Sequence, residues 1–173
     1  MRKQRPFPFI TLFGRVKYGT TAKNRKHSTI VVGQTRVCPL ILEVIFMTDK
    51  KLLEIADKAM ENAYAPYSGF KVGAALLCSD GTVFTGCNVE NSSYGAANCA
   101  ERTAIFKAVS EGHRDFSAIA IVSSGGGETY PCGICRQVMG EFAPEIRIIL
   151  RGNDGEPAVY HFNELMPKFF TLK

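Results

Sequence analysis

Three cysteines split between two segments constrain this chain more than any other feature. They lie in Asn98-Cys99-Ala100-Glu101-Arg102 and in Tyr130-Pro131-Cys132-Gly133-Ile134-Cys135-Arg136. Two thiolates at Cys-x-x-Cys spacing can hold one ion from a single turn of chain. A third thiolate from a distant segment leaves the fourth tetrahedral position open to water, the mark of a catalytic zinc rather than a structural one. Any fold that satisfies this must carry Cys99 onto the turn that bears Cys132 and Cys135. Glu101 follows Cys99 by two residues, and side chains two apart on a regular helix do not share a face. Cys99 is therefore expected at a helix cap or first turn, where unpaired N–H groups and the positive helix end favour a thiolate. Cys132 and Cys135 are expected to open a second helix in the same way.

Three thiolates around one Zn²⁺ leave a net negative centre, which alone would make a bound water a poorer acid. The positive groups available to offset it are two helix N-termini, Arg102 and Arg136. Glu101, close to the metal yet unneeded as a ligand, is the candidate to carry protons. Taken alone, Cys132-Gly133-Ile134-Cys135 reads equally as a redox dithiol of thioredoxin type or as two inert thiols on a helix. The upstream Cys99-Ala100-Glu101 and the Pro131 directly before the pair favour a metal-dependent hydrolase.

Composition narrows the setting. The 173 residues, 46% hydrophobic and 21% charged, fit one globular domain. The longest apolar run, Pro39 to Leu42 and then Val44 to Phe46, is broken by Glu43 and too short to cross a bilayer. Six cysteines, with three assigned as ligands and no secretory signal, point to a reducing, cytoplasmic compartment. Cys38, Cys78 and Cys87 read as small buried or incidental thiols, and none of His27, His113 and His161 stands beside a metal motif. The net charge of +5 conceals a division: residues 1–46 hold nine Lys/Arg and one acid (+8), while residues 47–173 hold twelve basic and fifteen acidic side chains (−3). The second part has no basic stripe for a phosphate backbone, which favours a small neutral substrate over nucleic acid.

Residues 1–46 show no sustained periodicity. Their composition suits a targeting segment, a disordered basic tail or a mis-assigned start, with Met47-Thr48-Asp49-Lys50 as a natural beginning. From Asp49 to about Ala63 apolar residues recur at helical spacing, with Thr48 as cap and Pro66 as the stop. Phe70 to Leu77 and Val83 to Val89 read as strands joined at Ser79-Asp80-Gly81, with Gly73 marking a close backbone approach. A helix from Asn98 to about Ser110 follows, its Ala104, Ile105 and Ala108 facing inward, and stops at Gly112. A buried strand over Ala118 to Val122 leads into a mobile-looking stretch, Ser123 to Glu128. The second metal helix is expected from about Cys132 to Phe142. Strands at Ile146 to Leu150 and Ala158 to Phe162, joined at Asn153-Asp154-Gly155, precede a short last helix broken near Pro167. The order is that of an α/β fold, and the last two strands, linked by too few residues for a crossover, should be antiparallel.

The Cys-x-Glu and Pro-Cys-x-x-Cys segments match the three-cysteine form of the zinc deaminase signature. Residues 47–173 resemble the small cytidine deaminases, which carry in order segments like Ala65-Pro66-Tyr67-Ser68, Phe70-Lys71-Val72-Gly73-Ala74-Ala75-Leu76, Gly86-Cys87-Asn88-Val89-Glu90-Asn91, Ser93-Tyr94-Gly95 and Leu165-Met166-Pro167. The resemblance implies a three-layer α-β-α fold with a mixed five-stranded sheet, one Zn²⁺ per chain on Cys99, Cys132 and Cys135, Glu101 as proton carrier, and Arg102 compensating charge at the zinc. It implies hydrolytic deamination of cytidine and 2′-deoxycytidine in pyrimidine salvage. Asn88 and Glu90 would hold the ribose 3′-hydroxyl, Phe70 would pack against the base, and backbone groups of Ala100 and Cys132 would touch it. It also implies a homotetramer with shared active sites, where Tyr94 and a C-terminal phenylalanine, Phe170 or its neighbour Phe169, reach across. An aminonucleoside-antibiotic deaminase, a nucleic-acid-editing deaminase and, more distantly, a redox module remain the other readings at this point.

Overall fold

The computed structural model describes residues 30–32, 35–37 and 47–172, in two compact units that divide between Phe46 and Met47. In the first unit, β1 (Ile30–Val32) and β2 (Thr35–Val37) pair antiparallel, with Ile30 opposite Val37. The sequence reading placed no strand here, because three residues are too few to establish an alternation. Its other expectations for residues 1–46, including those for His27 and Cys38, lie outside the described residues.

The second unit opens with α1 (Asp49–Met60), capped by Thr48, whose hydroxyl accepts the Lys51 N–H at 3.1 Å. The helix stops well before Pro66. The N–H groups of Asn62 and Ala63 turn back to the carbonyls of Ala59 and Met60, so tight three-residue turns end it before proline can act. β3 (Val72–Cys78) and β4 (Val83–Cys87) form the expected hairpin, turned at Gly81 (φ 89°). α2 (Ala100–Ser110), β5 (Phe116–Ser123), α3 (Gly133–Phe142), β6 (Arg147–Arg151), β7 (Pro157–His161) and the single turn α4 (Phe162–Leu165) complete the chain. The sheet order is β4-β3-β5-β6-β7. Only β5 and β6 are parallel, joined by the α3 crossover, and β6 and β7 are antiparallel as their short link requires.

Alternation along the strands builds three layers. Ala75, Ala118, Ala120, Val122 and Ile149 face α1 and bury against Leu52, Leu53 and Ala56. Ala74, Leu76, Ile119, Ile121, Ile148 and Leu150 face the opposite side, against Ala104, Ile105 and Ala108 of α2 and Met139 of α3. Two strand glycines let helices approach on opposite faces. A Cβ on Gly73 would strike the Ala56 carbonyl and stand 2.6 Å from the Met60 nitrogen, so α1 rests directly on β3. A Cβ on Gly86 would strike the Ala100 carbonyl and stand 2.5 Å from the Ala104 nitrogen, so the first turn of α2 rests directly on β4. Arg147 holds Asp49 through two nitrogens at 3.0 and 3.2 Å, and Arg151 pairs with Asp57, tying α1 to β6.

Hydrogen bonds run from the stretch Ser123 to Glu128 to its surroundings. The Ser123 and Thr129 hydroxyls stand 2.6 Å apart, the Lys71 N–H donates to the Ser124 hydroxyl at 3.0 Å, and Glu128 accepts from the hydroxyls of Tyr130 and Tyr160. Its polar groups find partners on β7 and beside β3. Among the described residues no helix is long and apolar enough to cross a membrane.

Candidate active site

Cys99 is the N-cap of α2 (φ −79°, ψ 157°) and Cys132 the N-cap of α3 (φ −66°, ψ 168°), and neither side chain bonds back to its own helix. A serine or aspartate at such a position would turn inward to cap the first N–H groups; these sulfurs are left to face one another. Cys135 sits in the first turn of α3, fully buried. The three Sγ atoms lie within 4.8 Å of one another, with Cys99 and Cys132 separated by 3.8 Å. Ligands at about 2.3 Å around a tetrahedral Zn²⁺ stand about 3.8 Å apart, so donor type and spacing both fit one zinc ion.

Charge at the cluster is uneven. A hydrogen bond from the Cys135 thiol, helped by Arg102 and Cys132, pulls Cys99 down to about 5 against the opposing effect of burial. Cys135, which gives that bond and is buried, is held well above the usual thiol range. Arg102 places Nη2 3.6 Å from the Cys99 sulfur and 3.2 Å from the Ala97 carbonyl, while its buried Nε has no hydrogen-bond partner. Arg136 turns the other way. Its guanidinium donates to the carbonyls of Pro131 and Leu165, both at 2.8 Å, so it clamps the chain ends around α3 instead of approaching the sulfurs as the sequence suggested.

Glu101, the second residue of α2, is the one buried charged side chain among the described residues, 4% exposed. Burial pushes its carboxyl up to about 7 against the hydrogen bond from its own backbone N–H; the Cys99 thiolate adds to the rise, and Cys135 and Arg102 oppose it. A carboxyl balanced near neutrality exchanges protons readily in both directions.

The segment 88–90 is held against the metal turn. Val89 and Asn98 exchange N–H···O bonds at 2.9 Å, Tyr64 donates to the Asn88 carbonyl, and Glu90 donates to the Tyr64 carbonyl. A cavity of about 330 Å³ opens there, its wall running from Asn88 and Glu90 past Tyr94 to Cys99, Arg102 and Ile134. A neighbouring hollow, lined by Tyr67, Ser68 and Asn91, shares Glu90, Tyr94 and Ala97 with it. The Asn88 amide accepts from the Val72 N–H and donates to the Phe70 carbonyl, both at 2.8 Å. Glu90 accepts from the Tyr67 N–H at 2.9 Å and from the Ser68 hydroxyl, contacts that hold its carboxyl below the usual range.

The other sequence-named residues divide. Ala100 is buried as the first residue of α2, and Tyr94 lies on a 3₁₀ turn, 85% exposed at the cavity rim. Phe70 stands outside the lining of this cavity, its ring against Gly125 in the stretch after β5. Phe169 packs edge-on to Phe162, ring centroids 5.3 Å apart, and over Gly140, whereas Phe170 points outward, 69% exposed. Ile134, 62% exposed on the cavity wall, was not singled out from the sequence. An apolar residue inside a Cys-x-x-Cys turn whose neighbours are ligands was the available signal.

Residues 47–151 match the family model for the cytidine and deoxycytidylate deaminase zinc-binding region. A cytidine deaminase of Sporosarcina psychrophila is 58% identical over 129 residues, covering 72% of this chain and 93% of that protein. One from Halalkalibacterium halodurans is 51% identical over 128 residues, covering 73% and 97% respectively. The crystal structure of a cytidine deaminase from Burkholderia pseudomallei superposes with a TM-score of 0.68 at 52% identity, covering 72% of this chain and all of that one. A family model matched over residues 47–151 and relatives more than half identical along nearly their whole length show that the chain belongs to the cytidine and deoxycytidylate deaminase family.

Proposed function

We propose that this chain catalyses the hydrolytic deamination of cytidine and 2′-deoxycytidine to uridine and 2′-deoxyuridine, releasing ammonia, with one zinc per chain on Cys99, Cys132 and Cys135. The observation that carries this reading is Glu101, the one buried charged side chain among the described residues, in the first turn of α2 beside three sulfurs at zinc-ligand spacing. Bound zinc supplies Lewis acidity, bringing a water to its nucleophilic form near neutral pH. Glu101 takes one proton from the attacking water and delivers it to N3 of the base as the C4–O bond forms; it then takes the remaining proton of the C4 hydroxyl and delivers it to the amine, so that the C4=O bond forms as the C4–N bond breaks and ammonia leaves. Oxygen is gained and ammonia lost, so no oxidant is needed. Arg102 and the N-termini of α2 and α3 offset the charge of three thiolates.

For the nucleoside, Asn88 and Glu90 take the ribose 3′-hydroxyl. Their bonds to the backbone of residues 67–72 support this role: they fix both groups on residues that line the cavity and leave further acceptor capacity on each. Backbone groups of Ala100 and Cys132 meet the base edge, and Phe70 closes on its face. The net charge of −3 over residues 47–173 favours a nucleoside over a polynucleotide in pyrimidine salvage. The working form is a homotetramer in a reducing, cytoplasmic setting, its domain spanning residues 47–173. Tyr94 and Phe170, both strongly exposed, complete a neighbour's site. Loss of ultraviolet absorbance on cytidine, measured with and without a zinc-stripping chelator, tests the activity; a rate that survives full removal of zinc, or no rate on either nucleoside, would overturn it.

A further inference from the structure

At the far end of α2 from Cys99 lies a second gathering of metal-ligating atoms. The Cys78 sulfur, an Asp80 carboxylate oxygen and a His113 ring nitrogen all lie within 4.8 Å of one another. Cys78 ends β3, Asp80 sits in the β3–β4 turn, and His113 follows α2, whose Ala100–Ser110 span is about 16 Å long at 1.5 Å per residue. The two clusters are therefore separate. Backbone bonds hold the second one together: the Ser79 N–H donates to the Asp115 carbonyl at 2.9 Å, the Cys78 N–H to Thr82 at 2.8 Å, and the His113 N–H to Ala108 at 3.0 Å.

The side chains are oriented individually as well. Asp80 uses Oδ1 to accept the Thr82 N–H at 2.9 Å, which turns Oδ2 towards His113. The His113 ring is set edge-on to Phe84, centroids 4.9 Å apart. His113 Nδ1 and Asp80 Oδ2 are 3.6 Å apart, too far for a good N–H···O bond. That separation is close to the roughly 3.4 Å between a nitrogen and an oxygen that each sit about 2.0–2.1 Å from one tetrahedral ion. Cys78, 2% exposed, closes the third side from the core.

We propose that Cys78, Asp80 and His113 form a second, non-catalytic cation site that takes one zinc ion through sulfur, carboxylate oxygen and imidazole nitrogen, with water in the fourth position. One thiolate and one imidazole select a borderline-soft ion such as zinc over magnesium or calcium, which prefer oxygen alone. As the sulfur–zinc bond forms, the thiol proton leaves to solvent. The bound ion would clip the β3–β4 turn to the link after α2 and add positive charge beyond that helix's C-terminus, where it is favoured.

Equilibrium dialysis of the full chain against buffered free zinc, with metal counted per chain, tests this. Two zinc ions are expected for the unaltered protein, one for Cys78→Ser and one for His113→Ala. The His113 side chain is partly exposed, so its removal spares the core should the Cys78 variant fail to fold. Equal zinc content in the unaltered protein and His113→Ala, whether one or two ions, overturns the proposal and leaves only an Asp80–His113 ion pair beside a core thiol. Cys132→Ala separates this from the active site: it should lose the ion at Cys99 and keep the one that depends on His113.

Discussion

Gly86→Ala should act on the active site through packing alone. The added Cβ would stand 2.5 Å from the Ala104 nitrogen and overlap the Ala100 carbonyl, whereas ordinary contact begins near 3.4 Å. Both neighbours are helix backbone and cannot swing aside as a side chain could. The difference between those two distances requires α2 to retreat from β4 by at least about 0.9 Å, the Ala100 carbonyl being closer still, and the turn that must move carries Cys99 and Glu101 at its start. A displacement near 1 Å at reacting groups costs on the order of 10²-fold in rate. Overpacking of this kind costs about 1–3 kcal/mol, which lowers Tm by roughly 3–15 °C for a domain this size. The measurements are kcat on cytidine, zinc per chain and thermal unfolding. A Gly86→Ala protein with unaltered kcat and Tm would show that α2 is not seated by that glycine and that the reasoning fails.

Glu101→Gln keeps the shape of a buried side chain while removing its proton transfer, so zinc content should hold and kcat should fall by at least roughly 10²–10⁴; a smaller loss assigns the proton work elsewhere. Glu90→Ala should raise KM for cytidine more than it lowers kcat, and free cytosine should be a very poor substrate of the unaltered protein; equal turnover of cytosine and cytidine argues against a ribose contact. Phe169→Ala opens a gap over Gly140 and beside Phe162 and should lower Tm, whereas Phe170→Ala should leave Tm nearly unchanged and reduce activity through the neighbouring site. Light scattering that finds a fully active monomer refutes the shared site. A chain beginning at Met47 should keep activity and zinc, and its failure to fold would place residues 1–46 within the domain.

Much of the site is legible in the chain because its constraints are local. The two-residue step from Cys99 to Glu101 excludes a mid-helix position for that cysteine, and the structure makes Cys99 and Cys132 both N-caps. The Asp-Gly turns and the short β6–β7 link likewise determine strand direction, since loop length acts within a few residues. Gly73 was identifiable as a close approach for the same reason: a glycine inside an apolar strand needs a cause.

Tertiary structure decided what depends on partners far along the chain. Arg102 and Arg136 each flank a ligand cysteine, yet one meets a sulfur and the other two carbonyls, because α4 places the Leu165 carbonyl within reach of Arg136 alone. The two terminal phenylalanines are adjacent and chemically identical, and only the hollow at Gly140 separates the inward Phe169 from the outward Phe170. Phe70, an aromatic in a matching motif, rests on Gly125 outside the cavity wall because the stretch after β5 folds back over it. Cys78, Asp80 and His113 show no ligand spacing in sequence. They meet because the β3–β4 turn and the end of α2 lie at the same end of the sheet, a proximity set by packing that no local pattern records.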